Sequence, residues 1–318
     1  MYQQLFILFA LIFTGYALAK AGILNEAVTL GINKMILFFA FPCLIAYKLG
    51  TMEVSVQMAK DFVIVNVLGA VSFVLFTIIA HLYYRVRGLT DKVSAPMMLC
   101  SCMPNNGFLG YPVTLVFLGN PGLILMIAHG AIVFNVYTYS YAITYLRNSA
   151  LKDKPKLTKG RVLTMVLQVA LNPNIIGIEV GLIIFAAGIS LDNVAGDYLS
   201  MIADMASPLA MIYTGAMLAK NKFLDMFKNK IVWEGVFLKL ILIPAIFFAL
   251  TYWLPISDLA KAILVLGVAF PSAATPVMLG QQNGLDTRQA TQLLFMSTLL
   301  SMITLPVLMH ILSSCLAL

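Results

Sequence analysis

Long apolar runs dominate the chain, and polar residues, glycines and prolines punctuate them at roughly the interval that crosses a bilayer. Runs near 3–20, 27–48, 61–84, 93–118, 121–146, 172–189, 197–219, 231–253, 259–280 and 289–315 read as ten helices. A span takes about 20 apolar residues, so ten spans with short connections use up the 318 residues and leave no room for a soluble domain. Composition agrees. Hydrophobic residues make up 61% of the chain and charged residues 10%, against about 25% charged in a soluble domain, which excludes a water-soluble protein. The first apolar run has no Lys or Arg before it, so it lacks the basic segment of a cleaved signal peptide and is expected to stay as the first span.

With ten spans the connections alternate between two faces, and basic residues are unequally shared. Of the 20 Lys and Arg, 15 fall on the face that receives Lys20, Arg85, the 147–161 segment, Lys228 and Arg288, while the other receives Lys48, Lys60 and Lys261. The positive-inside rule makes the first face cytoplasmic and both termini extracytoplasmic in a cell membrane. The same rule accounts for the charge of RNSALKDKPKLTKGR (147–161), so no nucleic-acid partner is read from it. Cys43, Cys100, Cys102 and Cys315 lie in apolar runs without C-x-x-C spacing and read as packing residues. No metal site or cofactor is expected.

Five spans precede the 147–161 loop and five follow it. Pro42 and Pro208 lie 166 residues apart, Pro104 and Pro271 lie 167 apart, and PCLIAY (42–47) pairs with PLAMIY (208–213). These offsets predict two repeats, 1–146 and 162–318. An odd number of spans in each inverts one relative to the other, an arrangement that places binding sites at the repeat interface. The predicted fold class is therefore an all-α polytopic membrane protein: ten transmembrane helices as two inverted five-helix repeats, with broken, crossed fourth and ninth helices.

The breaks lie in CMPNNGFLGYP (102–112) and FPSAATP (270–276). Proline removes a backbone donor and clashes with the preceding turn, so the helices should unwind near 104–107 and near Pro271 and then restart. Unwound backbone at that depth persists only where it lines a cavity. Each second half then begins near the midplane, with free amides and the positive dipole end aimed at the crossing, which suits an anion. Asn105, Asn106 and Ser272 sit at N-cap positions, where their side chains either cap the half-helix or donate to a carboxylate.

Ionisable residues inside spans mark function by default. Lys239 is a candidate for attracting an anion or pairing with Asp204. Asp204 lies one turn before Pro208 and coincides with a freed carbonyl, as a proton or cation site would. Glu179 and Lys34 lie nearer span ends and either snorkel or serve the site. His129 either packs or relays protons, and Asn135 either ties helices together or reaches the cavity. His81, His129 and His310 lie in different helices without neighbouring acids, which argues against an intramembrane enzyme.

NKMILFFAFPCLI, PNNGFLGYPVTLVFLG, LNPNIIGIEVGL, FPSAATPVMLG and STLLSMITLPVLM together resemble the auxin efflux carrier family, whose bacterial members include malate and malonate permease-like proteins. The resemblance runs over nearly the whole chain. It implies a scaffold of the first, second, sixth and seventh helices, a transport unit containing the crossed helices, an elevator-type movement and a homodimer. It implies substrate contacts from an asparagine after the crossover proline and another in the fifth helix, here Asn105 and Asn135. The expected function is secondary transport of small organic anions such as malate, malonate or auxin-like acids. The substrate site would comprise Pro104, Asn105, Asn106, Gly107, Asn135, Pro271 and Ser272, with Asp204, Lys239 and His129 in coupling or charge pairing. The sequence lacks the long cytoplasmic loop of the plant carriers. Two alternatives stay open: a sodium-coupled organic acid symporter of the bile-acid type, and a cation/proton antiporter.

Overall fold

The computed structural model describes residues 2–53, 55–151, 159–219 and 227–318. The predicted cytoplasmic positions Lys152, Lys154, Lys156, Lys220 and Lys222, and most of the 147–161 loop, lie outside them. Among the described residues the chain is helical throughout, and its one β-bridge joins Pro104 to Ser272.

The helices are α1 (Tyr2–Lys20), α2 (Glu26–Gly50), α3 (Val56–Val86), α4 (Asp91–Cys102), α5 (Asn106–Ala150), α6 (Lys159–Ala170), α7 (Pro173–Ala186), α8 (Val194–Ala219), α9 (Lys230–Tyr252), α10 (Asp258–Ala269), α11 (Thr275–Gln282) and α12 (Arg288–Cys315). Among the described residues, seven are long and apolar enough to cross a membrane, and the bent pair α6–α7 makes an eighth. The predicted fourth and ninth spans are missing from that count because each is interrupted: α4 stops at Cys102 and α10 at Ala269. The predicted division between the fourth and fifth spans falls inside α5, where Gly119 adopts φ +65° just before Pro121. Only glycine takes up that backbone without strain.

Proline shapes the helices in a second way. Segments Ile36–Ala40, Asn106–Gly110 and Leu238–Leu242 are single π-helical turns, each ending two residues before a proline: Pro42, Pro112 and Pro244. A proline removes one i→i−4 donor and pushes against the carbonyl a turn earlier, and widening the turn relieves both.

Two groups of helices share one cavity. In the first, α1 lies along α8 and α2 along α7, with backbones in direct contact. A Cβ on Gly15 would overlap the carbonyl of Ile212, and one on Gly215 the carbonyl of Ile12. Gly177 and Gly181 likewise meet the backbone at Pro42 and Ala46. Lipid tails are as apolar as leucine, so close backbone packing at small residues replaces the hydrophobic effect as the attraction. The second group, α3, α4, α5 and α9–α12, contains most of the buried residues, and Ser94–Cys102 of α4 is buried without interruption.

Helix α6 corrects the predicted boundary. The sequence places the sixth span at 172–189, but α6 precedes it and meets α7 at a 57° bend. Asn172 explains both: its side chain accepts from the Asn174 amide, and Pro173 opens α7 at a position that needs no donor. A start signal that strong hides a helix directly before it.

The glycine contacts generate a prediction. Gly215→Ala and Gly177→Ala should each cost about 1–3 kcal/mol through overpacking, lowering the unfolding midpoint of the purified protein. Gly31→Ala, with nothing within 4 Å of a new Cβ, should not lower it and should raise it slightly, since alanine favours a helix interior over glycine. Equal midpoints for all three variants would dismiss the close-packing account.

Candidate functional site

The two interrupted helices meet at their breaks. The Asn105 amide donates to the Pro271 carbonyl at 2.7 Å, and the Ala273 amide donates to the Met103 carbonyl at 2.8 Å. The Ser272 amide donates to Ser297 Oγ at 3.1 Å. An unpaired backbone group in hydrocarbon costs several kcal/mol, and these bonds remove that cost by pairing one break with the other. The carbonyl end of α10 has its own partner: Lys239 Nζ, fully buried, donates to the Val268 carbonyl at 3.0 Å.

The opposite helix ends stay open. Helix α5 begins at Asn106 and α11 at Thr275, and the first amides of a helix have no acceptor within it. Asn105 Oδ1 satisfies one by accepting from the Phe108 amide at 3.2 Å. Its Nδ2 donors have no partner among the described residues. Both helix starts border a cavity of about 350 Å³ whose wall includes Pro104, Asn105, Asn106, Gly107, Ala274 and Thr275. Asn33, Asn135, Asn172, Asn174 and Gln282 add amides, and Phe41, Phe108, Tyr111, Phe134, Tyr213 and Phe295 add rings. Among the described residues, no Asp, Glu, Lys, Arg or His lines the cavity.

The cavity is one-sided. It follows α11 from Thr275 to Gln282 and the later part of α5 at Gly130, Phe134, Asn135, Thr138 and Tyr139, but in the part of α5 before Gly119 it meets only Asn106, Gly107, Phe108 and Tyr111. There an aromatic cluster closes it: Phe41 lies 5.5 Å from Phe108 and 5.5 Å from Tyr111, and Phe108 lies 4.9 Å from Tyr213. The cluster joins the two helix groups, because Phe41 and Tyr213 come from α2 and α8.

Of the residues anticipated from sequence, Pro104, Asn105, Asn106, Gly107 and Asn135 come together on the wall, while Pro271 and Ser272 form the crossing behind it. Asn106 does not cap. Its Nδ2 lies 2.9 Å from His129 Nδ1, which makes that ring nitrogen the acceptor. The fully buried His129 ring fits between Gly69 and Gly267, both of which would clash with it if they carried a Cβ. Asn106 Oδ1, Ser272 Oγ and His129 Nε2 are buried without a partner among the described residues. Asn135 both ties helices together and reaches the cavity, since its Nδ2 donates to the Ala131 carbonyl at 2.6 Å and its Oδ1 accepts from Asn172 Nδ2 at 3.1 Å.

Asp204 and Lys239 do not pair. Asp204 is exposed on α8 and absent from the cavity wall, whereas Lys239 is sealed behind the crossing. Among the described residues the ion pairs are Arg87–Glu234 and Lys261–Asp258. Lys34 and Glu179 are likewise exposed. Sequence reasoning missed Asn33, Asn172 and Asn174. The last two stand in the Asn-Pro-Asn start of α7, a capping signal that also delivers amides to the site; Asn33 left no signal beyond being polar in an apolar run.

A family described as membrane transport protein matches residues 1–309. An uncharacterized transporter of Methanothermobacter thermautotrophicus is 27% identical over 93% of each chain. An uncharacterized transporter of Methanocaldococcus jannaschii is 25% identical over 94% of each. These similarities are to membrane transporters and not to enzymes. The chain belongs to the membrane transport protein family, the auxin efflux carrier family that its motifs resemble.

Proposed function

We propose that this multi-pass transporter carries small organic anions, with the substrate carboxylate at the crossing of the two interrupted helices. The observation that carries the reading is that two helix N-termini open onto a cavity whose wall, among the described residues, has amides and rings but no ionisable side chain other than tyrosine. Free amides at helix starts attract negative charge, and the Nδ2 donors of Asn105 strengthen that attraction. A cation/proton antiporter needs carboxylates beside the crossing, and the wall offers none. The rings suit the apolar body of an organic acid.

On this reading the chain has ten spans in two inverted repeats, the fourth and ninth being the interrupted pairs α4/α5 and α10/α11. The packing of α1 on α8 and of α2 on α7 supports it, because inversion exchanges one pair for the other. With the basic loops in the cytoplasm of a cell carrying the protein in its plasma membrane, the cavity opens inward and the aromatic cluster closes the outward path. The group containing α4, α5, α10 and α11 moves as an elevator against α1, α2, α7 and α8, and two chains form a homodimer. Coupling to a proton or sodium ion has no assigned residue on the cavity wall.

Asn105→Ala removes two hydrogen-bond donors to a charged group. At about 1.5–3 kcal/mol for such a bond, carboxylate uptake into reconstituted vesicles should fall at least tenfold at subsaturating substrate, and Asn105→Asp should abolish it. Uptake at the wild-type rate in both variants sinks the anion site, and Asn105→Asp gaining cation flux favours the antiporter.

Elevator movement requires Phe108 to leave Tyr213. Cysteines at both positions, in a protein whose four native cysteines are replaced by alanine, should be bridged by a short bis-methanethiosulfonate reagent, which stops uptake until a reductant is added. Undiminished uptake by the cross-linked protein would contradict the movement.

A further inference from the structure

Beside the central cavity lies an annex of about 540 Å³ in the angle between α6 and α7. The two adjoin, and Leu37, Tyr139, Asn172 and Asn174 border both. The inner mouth carries the amides of Asn172 and Asn174. The outer part is walled by Phe38, Leu167 and Leu171, which are 66%, 47% and 68% exposed, with Thr164 and Gln168 of α6 beside them. In a bilayer such residues face acyl chains. The annex thus adjoins an amide-lined cavity, with asparagines where the two meet and a mostly apolar wall farther out. That gradient matches a molecule with a carboxylate at one end and a hydrocarbon chain at the other.

We infer that the annex is a subsite for the alkyl chain of an amphipathic carboxylate whose head occupies the crossing. The inference rests on the carboxylate reading of the central cavity and extends it to a substrate class: monocarboxylates with a flexible apolar tail of about four to eight carbons. Such acids lie in the membrane with the carboxylate at headgroup depth and the tail among acyl chains, so an opening between α2 and α6 admits them from the bilayer itself. Helix α6 forms the outer wall, and Asn172, which starts α7 and bonds Asn135, ties that wall to the head site.

The test is ligand-induced thermal stabilisation of the purified protein by straight-chain carboxylates from propionate to octanoate, with alkylamines of equal length as controls. Burying each methylene should tighten apparent binding roughly three- to fourfold from butanoate onward, and the amines should gain nothing. Leu167→Trp, which fills the annex without touching the central cavity, should flatten the series and leave propionate unchanged; Leu171→Trp is an independent filling variant if the first does not fold. A flat wild-type series with propionate still bound overturns the subsite alone and leaves the annex to lipid acyl chains. A rise that neither tryptophan reduces overturns it by putting the tail elsewhere. No stabilisation by any acid overturns the carboxylate site, and this inference with it.

Discussion

Hydrocarbon does not hydrogen-bond, and the rest of this structure follows from how the chain satisfies its backbone at the two places where it stops being helical. Each interruption exposes donors and acceptors in the apolar interior, where each unpaired group costs several kcal/mol. The protein sets the two breaks against each other, so that Asn105 bonds Pro271 and Ala273 bonds Met103. Lys239 then occupies the Val268 carbonyl at the end of α10. Amide donors at the starts of α5 and α11 stay without an acceptor in their own helices, beside the cavity. The proposed anion site thus needs no charged side chain among the described residues of its wall.

This arrangement also divides labour between neighbouring polar residues. Asn105 caps a helix with its oxygen and keeps its nitrogen free, whereas the adjacent Asn106 points away and bonds His129. The two glycines flanking His129 show that the imidazole is packed to fit. Asn135 is held at both ends of its amide, by Ala131 and Asn172. Its loss would loosen the start of α7 as well as the cavity wall, so an effect on uptake from that residue alone would not separate contact from positioning.

Much of this was legible in the sequence because proline and glycine act locally. Pro104 and Pro271 mark interruptions from their own covalent geometry, and Pro42, Pro112 and Pro244 each have a widened turn just before them. Contacts across the fold were less legible. Asp204 and Lys239 looked like partners because both are charges inside spans, but a sequence does not say which face of a helix a residue occupies. Asp204 turned out exposed and Lys239 sealed behind the crossing, with a backbone carbonyl as its partner. Helix α6 went unseen because the Asn-Pro-Asn start of α7 reads as the beginning of a span, and Asn33 because one polar residue in an apolar run looks the same facing lipid or facing a cavity.

The central claim is that free amides at the start of α5 hold the substrate carboxylate, and the most direct measurement is the nitrogen-15 resonance of the Gly107 amide in glycine-labelled protein, assigned by its loss in Gly107→Ala. Saturating propionate should move that resonance downfield, as a new hydrogen bond to a carboxylate does, while the distant Gly31 and Gly88 stay in place. If propionate binds and the Gly107 resonance does not move, the anion sits elsewhere and the account is wrong.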